Sequence, residues 1–188
     1  AGRGRERGVT GRVRIVAIVV AVVLVGLAVV LAVNVGRDPR ADANRSQLLG
    51  QEAPAYDLPL LDGTRVTSEG QLGRTVVVNF WNSWCIPCQQ EHDALVAWWG
   101  QHRDDDAVTM LGIVREDTQR AVERYVRDED VTWPVAMDPG GRAALAFGTR
   151  GQPETYVISP SGVGVASQYG PVTVANLDAM VAAAAEVG

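Results

Sequence analysis

The sequence predicts an α/β domain, in which a mixed central sheet is flanked by helices, preceded by an N-terminal transmembrane helix. Two observations lead to this prediction. Beyond residue 70, short β-branched apolar segments alternate with amphipathic ones, which is typical of strands that alternate with helices. Residues 15–35 form one uncharged apolar stretch whose only clearly polar residue is Asn34, and about 20 such residues are enough to cross a bilayer as a helix.

The charges on either side of the apolar stretch predict its orientation. Five arginines precede it, offset only by Glu6, and two follow it, offset by Asp38 and Asp42. Because positive charge resists translocation, we expect residues 1–14 to be a cytoplasmic tail, residues 15–35 to span the membrane once, and the remaining chain to lie outside. A cleaved signal peptide is the alternative, although its apolar region is usually only about 7–15 residues long.

The amino-acid composition limits the classes of protein to which the chain can belong. The chain has no lysine and uses Ala, Val and Arg heavily, which suggests a GC-rich bacterial genome and so a bacterial cell membrane. From Asn44 onward it carries ten arginines and 19 acidic residues, a net charge of −9, which argues against binding to nucleic acid. A domain of this size buries a core without disulfides, so its two cysteines need a role other than stability.

The order of segments predicts the elements of the domain. Residues 36–53 are polar and interrupted by glycine and proline, so we expect a linker, followed by the domain at residues 54–188. A hairpin is expected at 56–67, with its turn at Asp62-Gly63. Strands are expected at 75–81, 108–114, 135–137, 154–159 and 163–169, and helices at 85–103, 117–128, 141–147 and 173–187.

The two cysteines lie where a strand ends and a helix begins, in the segment Trp84-Cys85-Ile86-Pro87-Cys88. Free backbone N–H groups and the helix dipole at this position favour an anion, so we expect Cys85 to be the thiolate nucleophile. Cys88 lies one turn later, close enough for a disulfide, and is expected to be the more buried, resolving thiol. This chemistry needs no cofactor besides the disulfide itself.

The cysteine pair has two alternative interpretations. A passive structural disulfide would close a very small loop and so constrain the unfolded chain little. A zinc site would have to recruit His92 and His102, a spacing that fits no common zinc site, with every ligand on one helix. C-x-x-C near a strand–helix–strand pattern is instead typical of redox chemistry, and no metal site is predicted.

Glu91 is the third candidate catalytic residue. It shares one helix face with Cys88, Leu95 and Trp98, so helical spacing turns it toward the interior. Burial would raise the pKa of its carboxyl group and allow it to exchange protons with Cys88. A solvated glutamate that interacts with the helix dipole is the alternative.

These residues resemble a known family. The strand, the W-C-x-P-C motif and the helix are similar to those of thioredoxins, and three features resemble the TlpA/ResA/DsbE group of membrane-anchored thioredoxin-like oxidoreductases. These features are Asn79 in the strand before the motif, Glu91 three residues after the second cysteine, and the segment from Gly151 to Ile158, which is similar to the group's G-x-P-E-T-F-L-I.

The resemblance implies a thioredoxin-like fold and further site residues. It implies that Pro153 is a cis-proline facing the cysteine pair and that the backbone of Gln152 pairs with an extended substrate. Trp84 and Pro87 join them as expected substrate contacts. Glu154 is a possible second acid, with a structural carboxylate at the strand edge as the alternative. His92-Asp93 and the polar Gln152 depart from the group's usual pattern, which puts the substrate and the redox potential in doubt.

The resemblance also implies partners. The expected function is extracytoplasmic thiol–disulfide exchange that reduces disulfides of exported proteins such as apocytochrome c, with a membrane thiol carrier to restore the reduced pair. The alternative is an oxidase of the same fold that introduces disulfides. A redox-inert binding or copper-handling module would use C-x3-C with a distant histidine, and a peroxidase would use T-x-x-C, and the sequence has neither pattern.

Overall fold

The computed structural model describes residues 7–35, 47–185 and 187. The chain divides into two compact units, Ala1–Asp42 and Ala43–Gly188. In the first unit, helix α1 covers Arg7–Val35, and its large aliphatic side chains from Ile15 to Val29 are each at least half exposed. Among the described residues, no helix combines the length and hydropathy that a membrane span requires. Part of the predicted cytoplasmic tail, residues 1–6, and most of the predicted linker, residues 36–46, lie outside the described residues.

The second unit begins with a short hairpin and continues as one central sheet. Its strands are the predicted ones, and their bounds are β1 Asp57–Pro59, β2 Arg65–Thr67, β3 Thr75–Trp81, β4 Val108–Val114, β5 Val135–Met137, β6 Glu154–Ile158 and β7 Gly164–Tyr169. The hairpin turns at the predicted Asp62-Gly63, where the Asp62 carboxylate accepts from the Thr64 backbone N–H at 2.9 Å.

The sheet is mixed, as the sequence predicts. Its strand order is β5-β4-β3-β6-β7, with β3, β4 and β5 parallel and with β6 and β7 antiparallel to their neighbours. Strand β3 lies in the middle and all seven of its residues are buried, which explains its nearly continuous run of apolar residues.

Four helices cover the sheet: α2 Ile86–His102, α3 Gln119–Asp128, α4 Arg142–Ala146 and α5 Val174–Ala185. Helix α3 begins two residues later than predicted because Thr118 is its N-cap and accepts from the Ala121 N–H at 3.3 Å. A 3-10 turn at Glu69–Gln71 was not predicted.

The two faces of the sheet carry separate apolar clusters. One cluster contains Val77 and Trp81 of β3 together with both cysteines and residues of α2 and α5. The other contains Val78 and Phe80 of β3, with Tyr156 and Phe147. Because side chains alternate along a strand, the residue next to a site residue on β3 or β6 lies on the opposite face.

The last residues of the predicted linker contact the domain directly. Leu48 is buried, and the Gly50 N–H donates to the Gly164 carbonyl at 2.8 Å. Glu52 forms an isolated antiparallel bridge with Val163. Backbone contacts with the start of β7 therefore begin several residues before residue 54, where the domain is predicted to start.

Candidate active site

The cysteine pair lies at the junction between β3 and α2. Cys85 is the N-cap of α2 with extended backbone angles, and its Sγ accepts from the Cys88 backbone N–H at 3.2 Å. Pro87 lies in the first helical turn, where its missing N–H is not needed. The two cysteines form a disulfide with their Cα atoms 5.2 Å apart, which is within the usual range. The helix start thus presents a hydrogen-bond donor to the first sulfur, as predicted.

Both cysteines are nearly inaccessible, which differs from the prediction. Cys85 is 4% exposed and Cys88 is 5% exposed, so Cys88 is not the more buried of the two. The reason is the loop opposite, whose Gln152 carbonyl oxygen lies 3.7 Å from the Cys85 Sγ. This loop covers the first sulfur.

The covering loop contains the cis peptide bond between Gln152 and Pro153 that the resemblance implied. Pro153 is buried, and its carbonyl oxygen accepts from the Gly170 N–H at 2.9 Å, while Gln152 is half-buried. Trp84 is 56% exposed beside Cys85 in the chain. The structure therefore brings Cys85, Gln152 and Pro153 together.

Glu91 is buried on the α2 face that carries Cys88, one turn further along the helix. It is 1% exposed. Its Oε1 accepts from the Asn79 side-chain amide at 2.9 Å, and its Oε2 accepts from the Val172 backbone N–H at 2.9 Å. The same Asn79 amide also donates to the Thr155 hydroxyl at 3.0 Å. The inward orientation predicted from helical spacing is confirmed.

The surroundings of Glu91 control its protonation. Burial raises the pKa of its carboxyl group to about 7, although the hydrogen bonds from Val172 and Asn79 act in the opposite direction. Both of these hydrogen-bond donors are neutral, and neutral donors stabilise an anion less than a cation does. A carboxyl group with a pKa near neutrality can both accept and release a proton at physiological pH.

Glu154 lies on the other face of the sheet. In the register of β3 and β6, Asn79 is opposite Thr155 and Phe80 is opposite Glu154, so Glu154 shares the Phe80 face. Its carboxylate accepts from the Arg150 backbone N–H at 2.9 Å and from the Tyr156 hydroxyl at 2.9 Å. These contacts favour the alternative that the sequence left open, a structural carboxylate at the strand edge, over a second acidic group near the site.

A second loop contacts the active-site loop, and the sequence did not predict it. The Asp117 carboxylate accepts from both the backbone N–H and the hydroxyl of Ser83, each at 2.8 Å. The Trp84 indole N–H donates to the Glu116 carbonyl at 2.9 Å. The sequence predicts Asp117 at the start of a helix, and its only signal for this contact is an acidic residue that follows a strand parallel to β3.

The two histidines of the rejected zinc interpretation both contact backbone carbonyls. His92 Nε2 lies 2.7 Å from the Glu129 carbonyl oxygen, and His102 Nδ1 lies 2.8 Å from that of Trp98. His92 is buried and packs edge-on against Tyr125. Among the described residues, no three metal-ligating side chains converge.

Comparison with known proteins agrees with this geometry. Residues 49–166 match the AhpC/TSA family. The chain is 28% identical over 114 residues to the thiol-disulfide oxidoreductase ResA of Bacillus thuringiensis, covering 61% of this chain and 65% of that ResA. It is 30% identical over 135 residues to the thiol:disulfide interchange protein HelX of Rhodobacter capsulatus, covering 70% of this chain and 74% of HelX.

A solved structure is also similar. The crystal structure of a thiol:disulfide interchange protein of the thioredoxin family from Chlorobium tepidum superimposes with a TM-score of 0.64 at 27% identity, over 71% of this chain and 94% of that one. The family match spans more than half of the sequence and includes the Cys85–Cys88 pair. The chain therefore belongs to the AhpC/TSA family and has a thioredoxin-like fold.

Proposed function

We propose that the whole protein is a membrane-anchored electron donor that reduces disulfides in exported partners, such as the C-x-x-C of apocytochrome c. The observation that carries this proposal is the environment of the sulfurs: both cysteines are nearly inaccessible and an ionisable carboxyl group, Glu91, is buried on the same helix face. Burial and a nearby negative charge disfavour thiolates. The reduced pair is then less stable and gives up its electrons more readily.

The exchange proceeds in two steps. The Cys85 thiolate attacks one sulfur of the partner disulfide, forms a mixed disulfide and releases the other partner sulfur as a thiolate. Cys88 then gives its thiol proton to the Glu91 carboxylate and attacks the Cys85 sulfur. This second attack restores the Cys85–Cys88 disulfide and releases the remaining partner thiolate, so two electrons pass to the partner. A membrane thiol carrier returns two electrons to the pair.

Recognition of the partner uses the loop that covers Cys85. The backbone at Gln152 adds an extended partner segment alongside the loop, as in β-augmentation, and brings the partner sulfur toward the Cys85 Sγ. Trp84 and Pro87 are exposed next to the cysteines and supply apolar contact. The polar side chain of Gln152, which departs from the group's usual pattern, contributes to the choice of partner.

Disulfide introduction by the same fold is the second candidate, and one observation favours it. The Cys88 N–H donates to the Cys85 Sγ at the start of α2, which stabilises a Cys85 thiolate and hence the reduced pair. A redox titration against glutathione separates the two functions. A potential near about −270 mV supports the donor, and one near about −120 mV supports the oxidase.

The membrane anchor is part of the proposal. Its support is the uncharged apolar sequence of residues 15–35 and the exposed aliphatic side chains of α1 between Ile15 and Val29. The arginines before residue 15 would hold the N-terminus in the cytoplasm and place the domain outside. Protease added to intact cells should then degrade the domain. Protection of the domain until the cells are lysed would contradict this placement.

Insulin reduction by the full chain tests the chemistry. Cys85→Ser should abolish turnover because it removes the attacking sulfur. Cys88→Ser should instead accumulate a mixed disulfide between Cys85 and its partner, which non-reducing electrophoresis and mass spectrometry can identify. Equal insulin reduction by the wild type and Cys85→Ser would refute the exchange function. A trapped partner that was itself a thiol oxidase would refute the donor direction alone.

A further inference from the structure

Two buried tryptophans next to the cysteine pair hold hydrogen-bond donors without protein acceptors. Trp81 ends β3 and is 6% exposed, and Trp133 precedes β5 and is 5% exposed. Within the part of the chain that is described, neither indole N–H has an acceptor. A buried N–H without a partner destabilises the folded state, so two such groups close together indicate a bound acceptor.

The two indole nitrogens both lie close to Gly112 in β4. A Cβ atom placed on Gly112 would lie 2.7 Å from Trp81 Nε1 and 3.3 Å from Trp133 Nε1. Glycine leaves this space open, although its backbone lies in an ordinary strand. The absence of a side chain here lets both indole nitrogens approach the same point.

Both indoles line a small cavity behind the cysteine pair. Its other lining residues include Cys88, Asn79, His92 and Tyr125. The cavity has an accessible volume of about 10 Å³, which is room for roughly one water molecule. The buried Glu91 carboxyl group, which donates and accepts its proton nearby, disfavours an anion as the occupant. A neutral acceptor of water size satisfies both donors.

We propose that this cavity binds one water molecule, which accepts from the Trp81 and Trp133 indoles and donates a hydrogen bond to the Cys88 sulfur. Because both lone pairs of this water receive N–H groups, its own two hydrogens must point to acceptors on the remaining walls. A thiolate sulfur accepts more strongly than a disulfide sulfur, since hydrogen bonds to charged groups are the stronger ones. The water therefore stabilises the reduced pair.

Other ionisable groups also act on Cys88. Cys85 is bonded to it in the oxidised state, Glu91 and His92 lie on the same helix, and Tyr125 faces it from α3. Burial, followed by nearby carboxylates, raises the pKa of Tyr125 to about 12, so its phenol stays neutral. Glu91 carries the negative charge that opposes a Cys88 thiolate, and the water offsets part of this effect.

Nuclear magnetic resonance of the full chain tests the site directly. The indole N–H resonances of Trp81 and Trp133 should show cross-relaxation with a long-lived water. Trp98 is the matched control, because it is fully buried and its indole N–H donates to Asp178 at 3.0 Å. Its resonance should show no such transfer. Two indoles that behave like Trp98 would overturn the proposal.

Redox equilibrium with glutathione tests the effect on Cys88. Gly112→Ala places a methyl group 2.7 Å from Trp81 Nε1, so the indole must move and its hydrogen bond to the water is lost. The change should lower the equilibrium constant for reduction of the pair about tenfold, which corresponds to about 30 mV toward negative potential. Gly100→Ala is its control, since a Cβ there meets no atom within 4 Å. It should leave the potential unchanged.

If Gly112→Ala does not fold, Trp133→Phe tests the effect of the water on Cys88 instead. It removes one donor and keeps a six-membered aromatic ring, so the potential should shift in the same direction by a smaller factor, and the pKa of the Cys88 thiol should rise. Trp98→Phe removes an equally buried indole N–H elsewhere and should shift neither quantity. The proposal is overturned if Trp133→Phe and Trp98→Phe have the same potential and the same Cys88 pKa.

Discussion

Two glutamates of this domain are equally buried and yet are held in different ways. Glu91 and Glu154 are each 1% exposed and lie on opposite faces of the sheet. Glu154 contacts an arginine, with Arg150 Nη2 at 3.5 Å from its Oε1, and also accepts from the Tyr156 hydroxyl. The hydrogen bonds of Glu91 come from a backbone N–H and an amide.

The difference shows that burial alone does not decide what a carboxylate does. Beside a cation and a hydroxyl donor, Glu154 serves to hold the start of β6 and the preceding loop together. With neutral donors, Glu91 stays close to the point where its charged and neutral forms are equally stable, and this makes it useful to the neighbouring cysteines. Substitution of each glutamate in turn tests this difference.

The largest effect is expected for Glu154→Ala. It removes the carboxylate that accepts from the Arg150 backbone N–H and the Tyr156 hydroxyl, and the loss of each such bond to a buried charged group costs about 1–3 kcal/mol. We expect the free energy of unfolding, measured in urea, to fall by about 4 kcal/mol with no change in the redox potential. Glu52→Ala, at an exposed glutamate, should be nearly neutral. A shift in potential with little loss of stability would give Glu154 the role assigned here to Glu91.

The second largest effect is expected in the pH dependence of the free energy of unfolding. Because the folded state raises the pKa of Glu91 from 4.5 to about 7, its stabilising contribution is complete below about pH 4.5 and is lost as pH rises to about 7. The difference between the two pKa values corresponds to about 3 kcal/mol of unfolding free energy. Glu91→Gln should remove this part of the pH dependence and flatten the pH profile of Cys85 and Cys88 alkylation.

Denaturant unfolding of the oxidised proteins across this pH range measures the difference. Asp93→Asn provides the control, because Asp93 is the exposed neighbour on the same helix and its removal should leave the slope unchanged. Parallel pH profiles for Glu91→Gln and the wild type would show that Glu91 keeps an ordinary pKa, and the contrast with Glu154 would disappear.

The smallest effect is expected for Asp117→Ala, which tests whether the active-site loop depends on the neighbouring loop. Two half-buried hydrogen bonds to Ser83 are lost, so stability should fall by about 1–2 kcal/mol. The rate of exchange at Cys85 should fall with it, because the residues before Cys85 lose their support. Asp117→Asn keeps one acceptor oxygen and should recover part of both. Full activity in Asp117→Ala would show that α2 alone positions Cys85.

Local patterns predicted the elements well. The bounds of β3 and β4 match the predicted ones because each is a short apolar run between polar ends. The inward orientation of Glu91 followed from its spacing to Cys88 on one helix. In both cases the information lies within a few residues, where periodicity and capping determine the structure.

The partners of the site residues could not be predicted in this way. Val172, which donates to Glu91, is 81 positions away from it, and Thr155 is 76 positions from Asn79. Such contacts depend on how the antiparallel strand β6 returns beside β3, which no local pattern encodes. The same applies to the covering loop, whose Gln152 carbonyl makes Cys85 as inaccessible as Cys88.

The bond between Trp84 and the Glu116 carbonyl has a consequence for selectivity. The indole gives its only polar hydrogen to the protein's own backbone, yet more than half of the residue remains in contact with solvent. An incoming side chain therefore contacts a flat aromatic surface whose N–H group is already hydrogen-bonded, so the contact does not depend on hydrogen-bond direction. Contact with such a surface discriminates between side chains by their size and shape.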